Sequence, residues 1–308
     1  MQHDCASMQT TPQSAATRAV LSQREFARMT ARTLLLITLA MLAFAGNSLL
    51  CRVALRDTSI DPASFTALRL LAGALVLWLL LRLRKSHSAR AGSWAGAFAL
   101  FLYAAAFSWA YVQLDAGAGA LLLFAAVQLS MIAWGVFRGE RLSPMQALGS
   151  ALALAGLIGL LLPDADAPAL TAALLMILSG AAWGAYSLLG RSTIDPLAAT
   201  AGNFARAVPM AAVLCLVTLP ALEWDLAGVI YALLSGGFTS GVGYALWYAV
   251  LPRLAATQAA SIQLSVPLLT VLAGSLMLGE ALTSRLLITG LAILGGIVLV
   301  LRARPSAS

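Results

Sequence analysis

The sequence predicts an all-α integral membrane protein of ten transmembrane helices, arranged as two inverted-topology five-helix repeats with both termini cytoplasmic. Three observations predict it. The 308-residue chain is 61% hydrophobic and only 10% charged, whereas a soluble domain carries about 25% charged residues. Apolar runs of bilayer-spanning length recur from end to end. Short motifs also recur in the same order, 134 to 140 positions apart.

The runs lie at 33–51, 62–81, 93–112, 117–137, 144–162, 169–189, 197–219, 226–250, 255–278 and 284–301. None alternates as a strand would, which excludes a β-barrel. The linkers are short and leave no room for a soluble domain. Residues 1–32 form a polar, basic tail, expected to be disordered and cytoplasmic, and 303–308 a short cytoplasmic tail. Arg24, Arg28 and Arg32 precede the first run, and Ala43-Phe44-Ala45 resembles a signal-peptidase site. The match of this run to the sixth argues that it is a retained helix.

The element boundaries carry their own signals. Asp61-Pro62 and Asp195-Pro196 open the second and seventh spans. Gly139 suits the left-handed position that ends the fourth. Ser143-Pro144-Met145-Gln146 reads as an N-cap, a Pro at the first helical position and a Gln that closes a capping box. Gly279 and Thr283 repeat the stop and the cap, but Leu286 cannot complete a box. Pro209 and Pro267 lie mid-span and are expected to kink their helices. The "GGFTSGVG" segment, Gly236–Gly243, makes the eighth span adaptable and lets backbones approach closely.

With the N-terminus inside, fourteen Lys and Arg residues fall in cytoplasmic segments, while Arg52, Arg56 and Arg285 fall outside. This follows the positive-inside rule and accounts for the net charge of +7 without nucleic acid. The three cysteines, Cys5, Cys51 and Cys215, are scattered, so neither a disulfide framework nor a metal site is expected, and no cofactor is implied.

Within the repeat, "FAGNSLLCR" (44–52) aligns with "WGAYSLLGR" (183–191), Ile60-Asp61-Pro62 with Ile194-Asp195-Pro196, and Gly139-Glu140-x-Leu142 with Gly279-Glu280-x-Leu282. The unit is five spans, giving repeats at 33–162 and 163–302. Five is odd, so the second unit enters the membrane from the opposite side, a recurring plan in secondary transporters. On "WGAYSLLGR", "GERLS", "GEALT" and the Gly-rich ends "LAGLIGLLL" and "LAILGGIVLVLR", the chain resembles the drug/metabolite transporter superfamily, specifically its EamA-type ten-helix members. The resemblance implies a carrier of small metabolites, often an exporter of amino acids or related compounds, in the bacterial inner membrane.

The candidate substrate residues lie inside the spans. Arg69 and Arg206 sit roughly 10 Å and 15 Å past the starts of the second and seventh spans. A central arginine is costly in lipid and should face a cavity, bind helix carbonyls or, for Arg69, snorkel. The functional reading is that one or both meet a substrate carboxylate. The amides Asn47, Gln128, Asn203, Gln258 and Gln263 either bind substrate or join helices by hydrogen bonds worth about 0.6 kcal/mol each. Tyr103, Trp183, Tyr186, Tyr244 and Trp247 either pack or wall a central cavity, and Tyr248 is expected in the interfacial belt.

No acid lies within a span, which favours facilitated diffusion or exchange over proton antiport, although Asp115, Glu140 or Glu280 could line a wet vestibule. Glu140 and Glu280, on opposite faces, are expected to stabilise equivalent corners or to serve gates. The leading function is a secondary carrier, most simply an exporter of carboxylate-bearing metabolites such as amino acids, acting as monomer or homodimer. A multidrug or quaternary-ammonium extruder is the alternative. An intramembrane enzyme lacks a base, since no span contains His, HExxH or an Asp pair. A receptor lacks loops for a partner.

Overall fold

The computed structural model describes residues 31–84, 91–139, 141–162, 167–190, 193–251, 254 and 262–303. Glu140 and Gln258 lie outside these residues. Ten helices follow in order: α1 Ala31–Asp57, α2 Pro62–Leu83, α3 Trp94–Tyr111, α4 Ala116–Phe137, α5 Pro144–Leu161, α6 Leu170–Gly190, α7 Pro196–Val217, α8 Leu226–Val250, α9 Ser265–Leu278 and α10 Ser284–Arg302. Among the described residues there is no strand. Nine of these helices are long and apolar enough to cross a membrane; α9 is the shorter one, and 255–261 ahead of it lie outside the described residues.

The boundary signals operate as read. The Asp61 carboxylate accepts from the amides of Ala63 and Ser64 at 2.8 and 3.0 Å, with Pro62 at the first helical position. Asp195 repeats this on α7 through Ala198. Ser143 and Gln146 close the capping box on α5. Thr283 caps α10 through the Leu286 amide alone. Gly139 and Gly279 take φ of +92° and +67°, where a Cβ would be strained.

Two expectations change. The first span does not end at Cys51: α1 runs on to Asp57, so Arg52 is a helical residue and is buried. It can be buried because two carboxylates face it. Pro267 lies in the first turn of α9, where a proline's missing N–H costs nothing. Its ring crowds the carbonyl four residues earlier, at Gln263, and the helix breaks at Leu264.

The packing obeys the repeat. Helix α1 packs on α8 and α9 of the second repeat, and α6 packs on α3 and α4 of the first. Helices α2 and α7, α4 and α9, and α5 and α10 meet their own counterparts. Exchanging the repeats therefore maps these contacts onto themselves. In lipid the drive for such pairing is close backbone approach, and the glycines show it. A Cβ on Gly149 would lie 2.5 Å from the Gly296 carbonyl oxygen, and one on Gly296 would lie 2.5 Å from that of Gly149. The outward faces are apolar: Leu170, Leu174 and Leu178 on α6 and Leu268, Leu272 and Leu276 on α9 are exposed at four-residue spacing. Such stripes suit hydrocarbon, and the chain is a multi-pass membrane protein.

Candidate functional site

A cavity of about 50 Å³ lies between the repeats. Its walls come from α1 (Phe44, Asn47, Ser48), α3 (Tyr103, Phe107), α4 (Phe124, Val127), α6 (Trp183), α8 (Thr239, Ser240, Tyr244) and the start of α9 (Gln263, Val266). The wall itself has the repeat symmetry. Phe44 and Trp183, Phe124 and Gln263, and Val127 and Val266 are three pairs of lining residues, each pair 139 positions apart. Gln263 reaches the cavity at the helix break that Pro267 imposes.

The aromatic side chains form one cluster. Trp183 stacks on Tyr244 with ring centroids 5.6 Å apart and meets Tyr103 at 4.8 Å. Phe44 lies 5.7 Å from Tyr244 across the same space, and Tyr103 continues to Phe107 at 5.4 Å. Tyr248 stacks on Tyr244 at 6.2 Å, and its hydroxyl accepts from Thr200. It thereby extends the cluster by one ring.

Arg69 stands behind two of the rings. It is 2% exposed, and its guanidinium carbon lies 5.3 Å from the Tyr103 centroid and 5.0 Å from that of Phe107. Nη2 donates to the Tyr103 hydroxyl at 3.1 Å, while Nη1 has no hydrogen-bond partner among the described residues. No carboxylate there pairs with it. A buried cation ordinarily pairs with an acid, because its desolvation is otherwise uncompensated. Here aromatic faces and one phenol oxygen supply the partial compensation. The backbone at Arg69 is held closely: a Cβ on Gly236 of α8 would collide with the Arg69 carbonyl.

Helix α8 is π-helical over Leu234–Val242, a geometry often found at functional sites. It directs Ser235 and Thr239 at Asn47. The Ser235 hydroxyl donates to Asn47 Oδ1 at 2.8 Å. The Thr239 hydroxyl is 3.2 Å from the same oxygen, but it also donates to the Ser235 carbonyl at 2.7 Å, and one hydrogen cannot serve both fully.

The sequence candidates divide accordingly. Asn47, Tyr103, Trp183, Tyr244 and Gln263 line the cavity, and Arg69 is bonded to a lining residue. Gln128 is half-buried on α4 beside lining Val127 but does not line it. Tyr186 is one layer back, donating to Thr200 at 3.2 Å. Trp247 is not in the wall; it stands behind lining Phe44, ring centroids 6.3 Å apart, in a buried cluster that includes Ile37, Met41 and lining Val266. Asn203 accepts from the Ser93 amide at 2.8 Å, at the start of α3. Arg206 donates to the carbonyls of Ala91 and Gly202, both at 2.9 Å. Ala91 lies just ahead of α3, so Arg206 ties α7 to the start of that helix.

Phe44, Ser48, Phe124, Thr239 and Ser240 were not singled out from the sequence. Phe44 was findable, as the repeat counterpart of Trp183. On the face bearing the α3–α4 and α9–α10 turns lies a second, polar space of about 320 Å³, lined by Arg56, Asp115, Thr283 and Glu280.

The comparisons with known proteins agree with this architecture. The model of the EamA-like transporter family matches the chain twice, over residues 31–162 and 170–302. An uncharacterized Pseudomonas aeruginosa protein is 62% identical over 89% of this chain and 96% of its own. An uncharacterized Bacillus subtilis transporter is 25% identical over 77% of this chain and 86% of its own. A probable terminal-alkyne amino-acid exporter of Streptantibioticus cattleyicolor is 29% identical over 67% and 71%. A crystal structure superposes with a TM-score of 0.60 at 19% identity, covering 88% of this chain and 98% of its own, which shows the fold alone.

Proposed function

The chain belongs to the EamA-like transporter family, a transporter rather than an enzyme, and from that premise we propose that it is a secondary carrier exporting carboxylate-bearing small metabolites, amino acids foremost, across the bacterial inner membrane. Substrate binds between the repeats and is exposed alternately to either side. The termini are cytoplasmic, as the distribution of Lys and Arg favours.

The observation that carries the substrate class is Arg69: a buried guanidinium beside the cavity with an unused Nη1 and no acid paired to it. A substrate carboxylate supplies the missing charge, and Tyr103 helps to place it. The faces of Trp183 and Tyr244 offer cation–π and apolar contacts to the ammonium and side chain of an amino acid. The cavity as it stands has room for a few waters. A metabolite therefore enters only as the helices part, and the π-helical stretch of α8 is the adaptable wall.

The aromatic wall also favours the multidrug or quaternary-ammonium reading. Arg69 counts against it, because a cation held by those rings would face a guanidinium with no neutralising acid. The 29% identical amino-acid exporter supports the preference for amino acids.

The test is uptake into proteoliposomes of labelled amino acids and of a quaternary ammonium dye, with and without a pH gradient. Saturable amino-acid transport is expected. Dye transport with no movement of any carboxylate-bearing compound would overturn the proposal.

A further inference from the structure

The N-terminus of α4 is capped by the wrong residue. Asp115 holds the N-cap position but makes no capping bond; its carboxylate is taken by Arg56 of α1 at 2.7 Å. The first amides of α4 are met instead by Glu280, from the α9–α10 turn of the other repeat. Its Oε1 accepts from the Ala116 amide at 2.8 Å and its Oε2 from that of Gly117 at 3.3 Å. Glu280 is in turn 3.2 Å from Nε of Arg52, and Arg52 also reaches Asp57 at 3.3 Å. The Arg52–Glu280 contact is an ion pair without hydrogen-bond alignment. Although Glu280 sits at a helix end, its side chain is only 7% exposed.

This cluster lies between the two spaces. Glu280 lines the polar vestibule. Arg52 is one helical turn beyond Ser48, which lines the central cavity. Between them stands fully buried Tyr111, whose hydroxyl donates to the Ala116 carbonyl at 3.3 Å and whose ring meets cavity-lining Phe107 at 4.7 Å. One stabilising set therefore joins α1, α4 and α9–α10 across the wall that separates cavity from vestibule.

We propose that Arg52, Glu280 and the first turn of α4 form a latch that holds the vestibule-side gate of the carrier shut, and that its release is a step of transport. A helix N-terminus and a guanidinium both favour an anion, and Glu280 supplies it from the opposite repeat. The gate is closed by charge-assisted contacts that can be made and broken, not by continuous apolar packing. The inference rests on the chain being a carrier and is independent of which substrate it carries.

The native Cys51, fully buried between Ser48 and Arg52, is the reporter. In a Cys5→Ser/Cys215→Ser background, its modification by a cationic, membrane-impermeant methanethiosulfonate is followed from the vestibule face. Glu280→Gln keeps the shape and removes the charge, and is expected to raise the modification rate roughly tenfold or more. Arg206→Ala, which loosens a contact elsewhere, is expected to leave it unchanged. An unchanged rate in folded Glu280→Gln, or an equal rise in Arg206→Ala, overturns the latch. If Glu280→Gln does not fold, Glu280→Asp, charged but shorter, takes its place, and a wild-type rate there overturns it equally. With a substrate in hand, Arg52→Cys/Glu280→Cys bridged by a short bifunctional reagent should stop uptake until the bridge is reduced, and undiminished uptake overturns the latch. If no substrate is found, the thiol readout still decides, so failure of the substrate reading and failure of the latch are separable.

Discussion

Replacing Arg69 with methionine separates its two possible roles. The substitution keeps an unbranched side chain of similar reach and removes the charge. In the protein without substrate, Arg69 gives up one hydrogen bond, to Tyr103 at 3.1 Å, and its stacking on Tyr103 and Phe107. Against that, a 2% exposed cation with an unused Nη1 no longer has to be desolvated. Exchanging a buried charge for a well-packed apolar side chain is commonly neutral or stabilising, so the melting temperature should stay the same or rise.

Transport should respond in the opposite way. If a carboxylate pairs with the guanidinium in this site, removing one partner costs about 2–5 kcal/mol, which weakens apparent affinity roughly 30-fold or more. The assay pairs a thermal-shift measurement in detergent with the concentration dependence of uptake in proteoliposomes. Tyr103→Phe, which removes only the phenol oxygen, should give a smaller loss. Unaltered uptake by a stable Arg69→Met protein would refute the anchor. A large drop in stability would refute the claim that the charge is only partly compensated in the empty carrier.

Arg206→Ala should show the converse pattern. It loses two bonds to backbone carbonyls, so stability falls by about 1–3 kcal/mol while apparent affinity is unchanged; an affinity loss with intact stability would return Arg206 to the site. Gly296→Val drives a side chain toward the Gly149 carbonyl and should cost about 1–3 kcal/mol, read as a lower melting temperature; a wild-type value would show that α5 and α10 can part freely. Ser143→Ala opens the capping box of α5 and should cost about 1 kcal/mol with uptake unaffected, as the same thermal-shift and uptake measurements would show.

Much of this protein follows from local rules that the sequence states directly. Hydrophobic length sets the spans, and Asp61-Pro62, Ser143-Pro144 and Gly279 mark helix ends because caps and left-handed turns depend on a few adjacent residues. The duplicated motifs give the repeat, and its odd number of spans gives the inversion. The aromatic character of the site was also legible, in Tyr103, Trp183 and Tyr244.

The assignment of partners was not legible, because it depends on which helix faces which and at what height. Arg69 and Arg206 look alike along the chain. One ends beneath a cavity wall and the other at the start of α3, because α3 begins level with Arg206. Arg52 lies past the end of the first apolar run, yet α1 continues through it and carries it to Glu280. Glu280 itself, a turn residue by sequence, caps a helix 164 positions away. The sequence by itself determined the bilayer as solvent, the helices and the repeat, all of which are short-range or compositional. Only the tertiary structure decided which buried charges are compensated and which are left for a ligand, because that balance is struck between helices distant in the chain.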